Sequence, residues 1–550
     1  MEEEINVIEK DYKQQYGKEE IDLVLEKLCK TNKSWLCLIF ILTASPGVLN
    51  GMHIMSYIFF VDNEPHYCNI PSLEKAGWTA NEIMNISLVK TESPSEYGCL
   101  YYDYQYSIIA NNSFEWALAY TNSMKEKPKT LPCNDYRYQN INSVVSEWNL
   151  VCDHFYYRSN IQAAYAVGKF FGASIFGVIA DKYGRKLSFT SAAICFTFSA
   201  LLAAFSNSFG VFLVIRFLIG FGGVGCYGTA YTLQLIVGQA KTWICCTFNI
   251  SYAIGMIILS CLAYHIQYWK SLLIIISSPT FILIFYYWLL PESPQWLLSK
   301  NKYNEAWKVL QKMDSTVKLK DESLQVLHKF KDNCNRRIYT VKKLIKPFIE
   351  LGSVFSTPTL TLRTMICFFI WFTVSSTYIG LAINGENFMV NRYTYLALNG
   401  ILEIFSYLLP GPLLIVFGRK SACMLLFSLT GILLISIMFV PKVYKITILI
   451  LALFGRFCST SAYVIFALYT SELFPTSIRN TAIGISLTMS HLGTFISPYI
   501  VDILGTHSWY LPSSIFGLLS VCSIFLLIFL PETKDKPLLN TIEEMISEKI

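Results

Sequence analysis

Charge is scarce in this sequence: only 15% of its 550 residues are Asp, Glu, Lys or Arg, while 53% are hydrophobic. So little charge, with the apolar residues gathered in long runs, excludes a disordered chain, a collagen and a nucleic-acid-binding domain. No Gly-x-x-x-x-Gly-Lys-Ser/Thr segment occurs, which argues against transport driven by ATP. The seven histidines and the cysteines form no metal-ligand spacing, and no nucleophile constellation stands out, so neither a metal, a cofactor nor an enzyme is expected. A small-residue cleavage pattern is also missing after the polar stretch 1–34, and the first apolar run is expected to act as its own insertion signal.

What the chain has instead is apolar sequence in runs of about twenty residues, the length an α-helix needs to cross a bilayer. The first runs from Trp35 towards Phe60, and others follow near 159–180, 187–205, 209–235, 242–264, 271–290, 364–384, 394–416, 421–440, 446–468, 481–503 and 508–530. The pattern predicts an all-α polytopic membrane protein with twelve transmembrane helices. Its expected parts are an N-terminal segment 1–34, a six-helix half 35–290 that includes a polar loop 61–158, a linker 291–363, a second half 364–530 and a tail 531–550. The stretch Ile21–Leu28 has the spacing of a short amphipathic helix.

Lys and Arg set the orientation. Residues 300–346 hold thirteen Lys/Arg against five Asp/Glu, and the turns at Lys182–Lys186 and Arg419–Lys420 are basic, so these segments and both termini are expected in the cytoplasm. The loop 61–158, with twelve acids and seven bases, is then external. Most of the sixteen cysteines lie in apolar runs, Cys245 and Cys246 among them, and read as packing. Four lie in the loop, Cys68, Cys99, Cys133 and Cys152, an even number that predicts two disulfides with three connectivities open. Sequons at Asn85 and Asn111 suit a glycosylated ectodomain of a plasma-membrane protein.

The two halves repeat. Arg216 recurs as Arg456, and Pro291-Glu292 as Pro531-Glu532, both at an offset of 240; Gly184-Arg185-Lys186 recurs as Gly418-Arg419-Lys420 at 234. Parallel repeats of this kind are the mark of a two-part transporter.

Asp181-Lys-Tyr-Gly-Arg-Lys186, Pro291-Glu-Ser-Pro-Gln-Trp-Leu-Leu298 and Glu472-Leu-Phe-Pro-Thr-Ser-Ile-Arg-Asn480 resemble motifs of the major facilitator superfamily. With the long cysteine-bearing loop and Glu147-Trp-Asn-Leu-Val-Cys152, the chain looks like an organic cation, anion or zwitterion transporter of solute carrier family 22. Within the seventh run, the stretch Trp371 to Gly380 lacks the paired glutamines of sugar carriers. The resemblance implies an inner gate built from Asp181, Gly184 and Arg185 in one half and Glu472 and Arg479 in the other. Ile236 and Ile415 stand where relatives commonly carry a glutamate and an aspartate, so each half keeps a complementary part.

Ionisable residues inside a membrane are the first candidates for function. Lys169 and Glu403 each precede the repeated glycine by fifteen residues and so occupy equivalent positions. About eleven helical residues, roughly 16 Å, separate each from its helix end, close to the midplane. Glu403 is expected to meet a cationic group; Lys169 either competes for Glu403 as a counter-ion or binds a substrate carboxylate. Trp371 and Tyr378 share a helix face, and the resemblance adds Tyr227, Phe248 and Asn249 as pocket groups able to hold an ammonium against aromatic faces. His491 stands where cation carriers tend to have an aspartate and anion carriers an arginine. The implied function is transport of a small organic cation or zwitterion by alternating access, with membrane lipids the other contact and no nucleic acid. An organic-anion exchanger or a non-transporting receptor are the alternatives; oligomeric state is not readable.

Overall fold

The computed structural model describes residues 33–62, 65–89, 98–124, 128–138, 142–234, 241–293, 354–385, 390–475 and 478–536, with 296, 297, 300, 302, 305, 308, 309, 387 and 388; at 33–36, 234, 241–247 and 480 it describes backbone alone. The amphipathic stretch Ile21–Leu28, Ile236, the side chains of Cys245 and Cys246, most of the basic linker and the end of the tail lie outside the described residues.

Twelve long helices carry the fold. We name them α1 (Lys33–Met55, continued by Tyr57–Phe60), α2 (Ser159–Tyr183), α3 (Arg185–Ala203), α4 (Phe209–Gln234), α5 (Lys241–His265) and α6 (Trp269–Leu289). Then follow α7 (Pro358–Ile383), α8 (Arg392–Val416), α9 (Arg419–Ser436), α10 (Lys445–Leu473), α11 (Arg479–His507) and α12 (Leu511–Ile528). All but α11 are long and apolar enough to cross a bilayer by themselves. In α11 Ser, Thr, Gly and His491 dilute the apolar residues, and the helix packs against α7 and α2, where lipid touches less of it.

Helix ends differ from the apolar runs for a local reason. The seventh run begins near 364, yet α7 starts at Pro358, because Thr357 accepts a hydrogen bond from the Leu360 amide at 3.3 Å and proline fits the first turn. Hydropathy finds the hydrocarbon-matched part of a helix; capping decides where it starts.

In the first half α2 packs on α4, α3 on α4 and α1 on α5; in the second, α7 packs on α11, α9 on α10 and α12, and α8 on α10. The halves meet along α5 with α8 and α2 with α11. Small residues allow the closest approaches: a Cβ on Gly168 would run into the backbone of Phe217, and one on Gly220 into that of Tyr165.

The segment between α1 and α2 forms a small domain at one end of the bundle, here the loop end; the opposite end is the linker end. Strand β1 (His66–Cys68) pairs antiparallel with β4 (Tyr136–Tyr138), and β2 (Leu100–Tyr102) with β3 (Thr130–Pro132). Cys68 is bonded to Cys133 and Cys99 to Cys152. Tyr67, Ile70, Leu73, Ile83, Ile86 and Ile109 build its own apolar core. The helix Ala80–Ser87 begins with a capping box: the Glu82 carboxylate accepts from the Thr79 amide at 2.8 Å and hydroxyl at 2.7 Å, and these bonds hold its pKa below the usual carboxylate range. Glu147 ties the domain to α6 by accepting from the Trp269 indole at 2.9 Å and Lys270 at 2.5 Å. Asn85 and Asn111 are exposed on it.

Candidate functional site

A charge buried in a membrane bundle must be paired or face water. Glu403 on α8 is 2% exposed and is fully met by its own half. One carboxylate oxygen accepts the hydroxyls of Tyr378 (2.5 Å) and Tyr407 (2.6 Å); the other lies 3.0 Å from Arg456 Nη2 of α10. Arg456 also donates to the Tyr378 carbonyl at 3.0 Å, and its guanidinium lies 4.6 Å from the centre of the Tyr378 ring. From the first half, Tyr252 of α5 brings a buried hydroxyl near enough to interact electrostatically with Glu403.

The partner of Glu403 is therefore Arg456, and the Lys169–Glu403 counter-ion arrangement is not formed. Arg456 lies within the tenth apolar run, 446–468, but nothing in the sequence pairs it with Glu403, since a contact across 53 positions leaves no local signal. Tyr407 could have been found, because it lies one turn beyond Glu403 on the same helix face.

Lys169 on α2 is half-buried and makes no hydrogen bond or ion pair among the described residues. Across the seam it interacts electrostatically with His491 of α11. The imidazole packs edge-on to Phe170, 6.4 Å between centroids, and its Nδ1 is buried without a hydrogen-bond partner among the described residues. The equivalent positions of the two halves thus differ in kind. One holds a carboxylate paired with Arg456 and the other an ammonium without an ion-pair partner among the described residues.

The aromatic candidates divide as well. Tyr227 on α4 donates its hydroxyl to Asn249 Oδ1 of α5 at 2.9 Å, and Phe248 lies 4.7 Å from the Tyr227 ring and 5.2 Å from that of Tyr231. These three rings and the amide form one cluster in the first half. Tyr378 belongs to the Glu403 network, while Trp371, 2% exposed, packs edge-on to Tyr463 and Phe466 of α10.

At the linker end the repeated Pro-Glu motifs act as caps. Glu292 accepts from the amides of Arg185 (3.0 Å) and Lys186 (3.1 Å) at the start of α3. Glu532 does the same for Arg419 (2.8 Å) and Lys420 (3.1 Å) at the start of α9. The glycines are there to admit these carboxylates: a Cβ on Gly184 or Gly418 would collide with Glu292 or Glu532, and Gly184 also has φ +118°. We expect Gly418→Val to cost about 1–3 kcal/mol by expelling the capping carboxylate, seen as a lower melting temperature in detergent. An unchanged melting temperature would contradict this role.

The gate residues sit beside the caps and pair within their own halves. Arg185 donates to the Thr232 carbonyl at 3.1 Å and to Ser293 at 3.2 Å. Glu472 pairs with Arg419 at 3.0 Å and accepts from Thr533 at 2.6 Å, while Arg479 reaches the Phe474 carbonyl at 3.4 Å. Asp181 is exposed.

Contacts between halves gather at the loop end. Asp62 pairs with Arg392, Asp502 accepts from Tyr57 (2.9 Å) and Ser159 (2.5 Å), and Tyr499 donates to Asn160 at 2.6 Å. Phe59 stacks on Tyr393 at 5.3 Å. No local pattern marks these residues, although Asp502 is an acid inside an apolar run.

Two bundles with a charged seam between them define a membrane carrier, and known proteins agree. Residues 104–545 match the profile of the sugar (and other) transporter family. Solute carrier family 22 member 6-A of Xenopus laevis is 31% identical over 449 residues, 78% of each chain. Organic cation/carnitine transporter 2 of Homo sapiens is 28% identical, covering 93% of this chain and 91% of its own. The partially occluded inward-open structure of the xylose transporter XylE from E. coli superposes with a TM-score of 0.59 at 15% identity, covering 92% of this chain and all of that one. The chain belongs to the sugar (and other) transporter family of the major facilitator superfamily, within solute carrier family 22. It is a multi-pass membrane transporter with the twelve-helix major facilitator fold.

Proposed function

We propose that this transporter carries small organic zwitterions, with organic cations as related substrates, by alternating access between its two six-helix halves. The observation that carries the reading is the asymmetry at the equivalent positions: Glu403 is neutralised by Arg456 and two tyrosines, whereas Lys169 has no ion-pair partner among the described residues. An ammonium needs no free carboxylate if aromatic faces receive it, and the half-buried Tyr227 and Tyr378 provide such faces, with Phe248 packed behind Tyr227. A carboxylate at the other end of the substrate then meets Lys169, with His491 beside it. The relative named for cations and carnitine fits both ends of such a molecule.

In this reading the loop end is extracellular, the termini and linker are cytoplasmic, and the protein resides in the plasma membrane. The disulfides and exposed sequons support the loop's placement in an oxidising compartment. Asp181, Arg185, Glu472 and Arg479 bridge the halves at the cytoplasmic end when the loop end opens. The contacts that join the halves at the loop end support an inward-facing stage in this reading.

Uptake of a labelled panel tests the substrate class: a betaine such as carnitine, a permanent cation and an aromatic carboxylate, offered to cells expressing the wild type. Saturable betaine uptake, with inhibition by the cation, is expected. Uptake of the aromatic carboxylate alone would replace this reading with organic-anion exchange, for which Lys169, without an ion-pair partner among the described residues, is the specific support.

A further inference from the structure

Two carboxylates on helices of the second half, the buried Glu403 and the half-buried Asp502, differ in where their partners come from. Glu403 takes every hydrogen bond it accepts from its own half, so its network can travel as a rigid unit. Asp502, near the loop end of α11, does the opposite. Among the described residues its hydrogen bonds come only from the first half, from Tyr57 at the end of α1 and Ser159 at the start of α2, with Arg158 close enough to interact electrostatically.

We propose that Asp502, with Tyr57 and Ser159, is a latch that holds the loop end closed and sets the balance between inward- and outward-facing states. A hydrogen bond to a carboxylate is worth more than one between neutral groups, and here both hydroxyl bonds exist only while the halves touch. Opening the loop end withdraws both hydroxyls at once and leaves the carboxylate to water. Arg392–Asp62 and Tyr499–Asn160 also span the seam and are broken in the same movement. Asp502 contacts neither Lys169 nor the Glu403 network, so it acts on the cycle as a positioning residue, without touching substrate. A pocket at the seam, lined by Tyr57, Arg158, Ile383, Asn387, Val501 and Asp502, is where the parting halves admit water.

The test is the rate at which a membrane-impermeant thiol reagent labels Ile383→Cys in intact cells, with Val501→Cys as a second reporter; both native side chains are under 10% exposed and line that pocket. Tyr57→Phe, Ser159→Ala and Asp502→Asn are each expected to raise the rate about 3- to 10-fold over the same reporter with the latch intact, and the Tyr57→Phe/Asp502→Asn pair by less than the product of the singles. Tyr57→Phe removes only a hydroxyl, so it remains informative if Asp502→Asn reaches the surface poorly. Equal labelling rates in all latch variants at normal surface abundance would overturn the proposal. The inference rests on the orientation given above, which labelling of Glu115→Cys in the exposed loop checks separately, and no substrate is needed.

Discussion

Glu403→Gln and Arg456→Ala are each expected to reduce uptake of every substrate by more than about tenfold and to lower surface abundance, because removing one member of a buried ion pair strands the other at a cost of about 3–5 kcal/mol. In Arg456→Ala the carboxylate keeps two tyrosine hydroxyls but loses its counter-charge. In Glu403→Gln the guanidinium keeps only the Tyr378 carbonyl and ring among its present partners. The double variant Glu403→Gln/Arg456→Met removes both charges and is expected to return to near wild-type abundance. Surface biotinylation beside uptake measures both effects. Singles that reach the surface and transport normally would contradict the assignment of this pair as the strut of the second half.

Lys169→Met is expected to lower uptake efficiency for a betaine by about 10- to 150-fold, the loss of a charge-assisted hydrogen bond worth about 1.5–3 kcal/mol, while leaving a permanent cation within about threefold. Methionine keeps the length and apolar stem of lysine, so packing on α2 changes little. Because Lys169 has no ion-pair partner among the described residues, no protein carboxylate is stranded by the change, and surface abundance should hold. A general loss of all substrates at normal abundance would instead make Lys169 a structural residue. Unchanged betaine uptake would remove it from the site.

The contrast between these two variants shows what the sequence could and could not disclose. Twelve apolar runs and the repeated Gly-Arg-Lys, Arg and Pro-Glu elements set out the two-part architecture, because bilayer thickness and the positive-inside bias act on each run separately. The equivalence of Glu403 and Lys169 is readable from the same repeat. Their partners were not, since whether Glu403 turns to Arg456 or to Lys169 depends on how α8, α10 and α2 are rotated against one another, which no single-helix period records. For the same reason Tyr378 and Trp371, seven residues apart on one face, part company: one joins the carboxylate network and the other packs against Tyr463 and Phe466. Asp502 was legible as an acid in an apolar run, but its meaning lies in hydroxyls that come from the other half.

The central claim is that the substrate's carboxylate meets Lys169. Its most direct measurement is uptake of one betaine and of its neutral-acid counterpart, the methyl ester, by the wild type and by Lys169→Met, compared as a four-way cycle. The account predicts that the wild type prefers the free carboxylate by at least about tenfold and that the variant loses this preference. A preference of the same size in both proteins would contradict it.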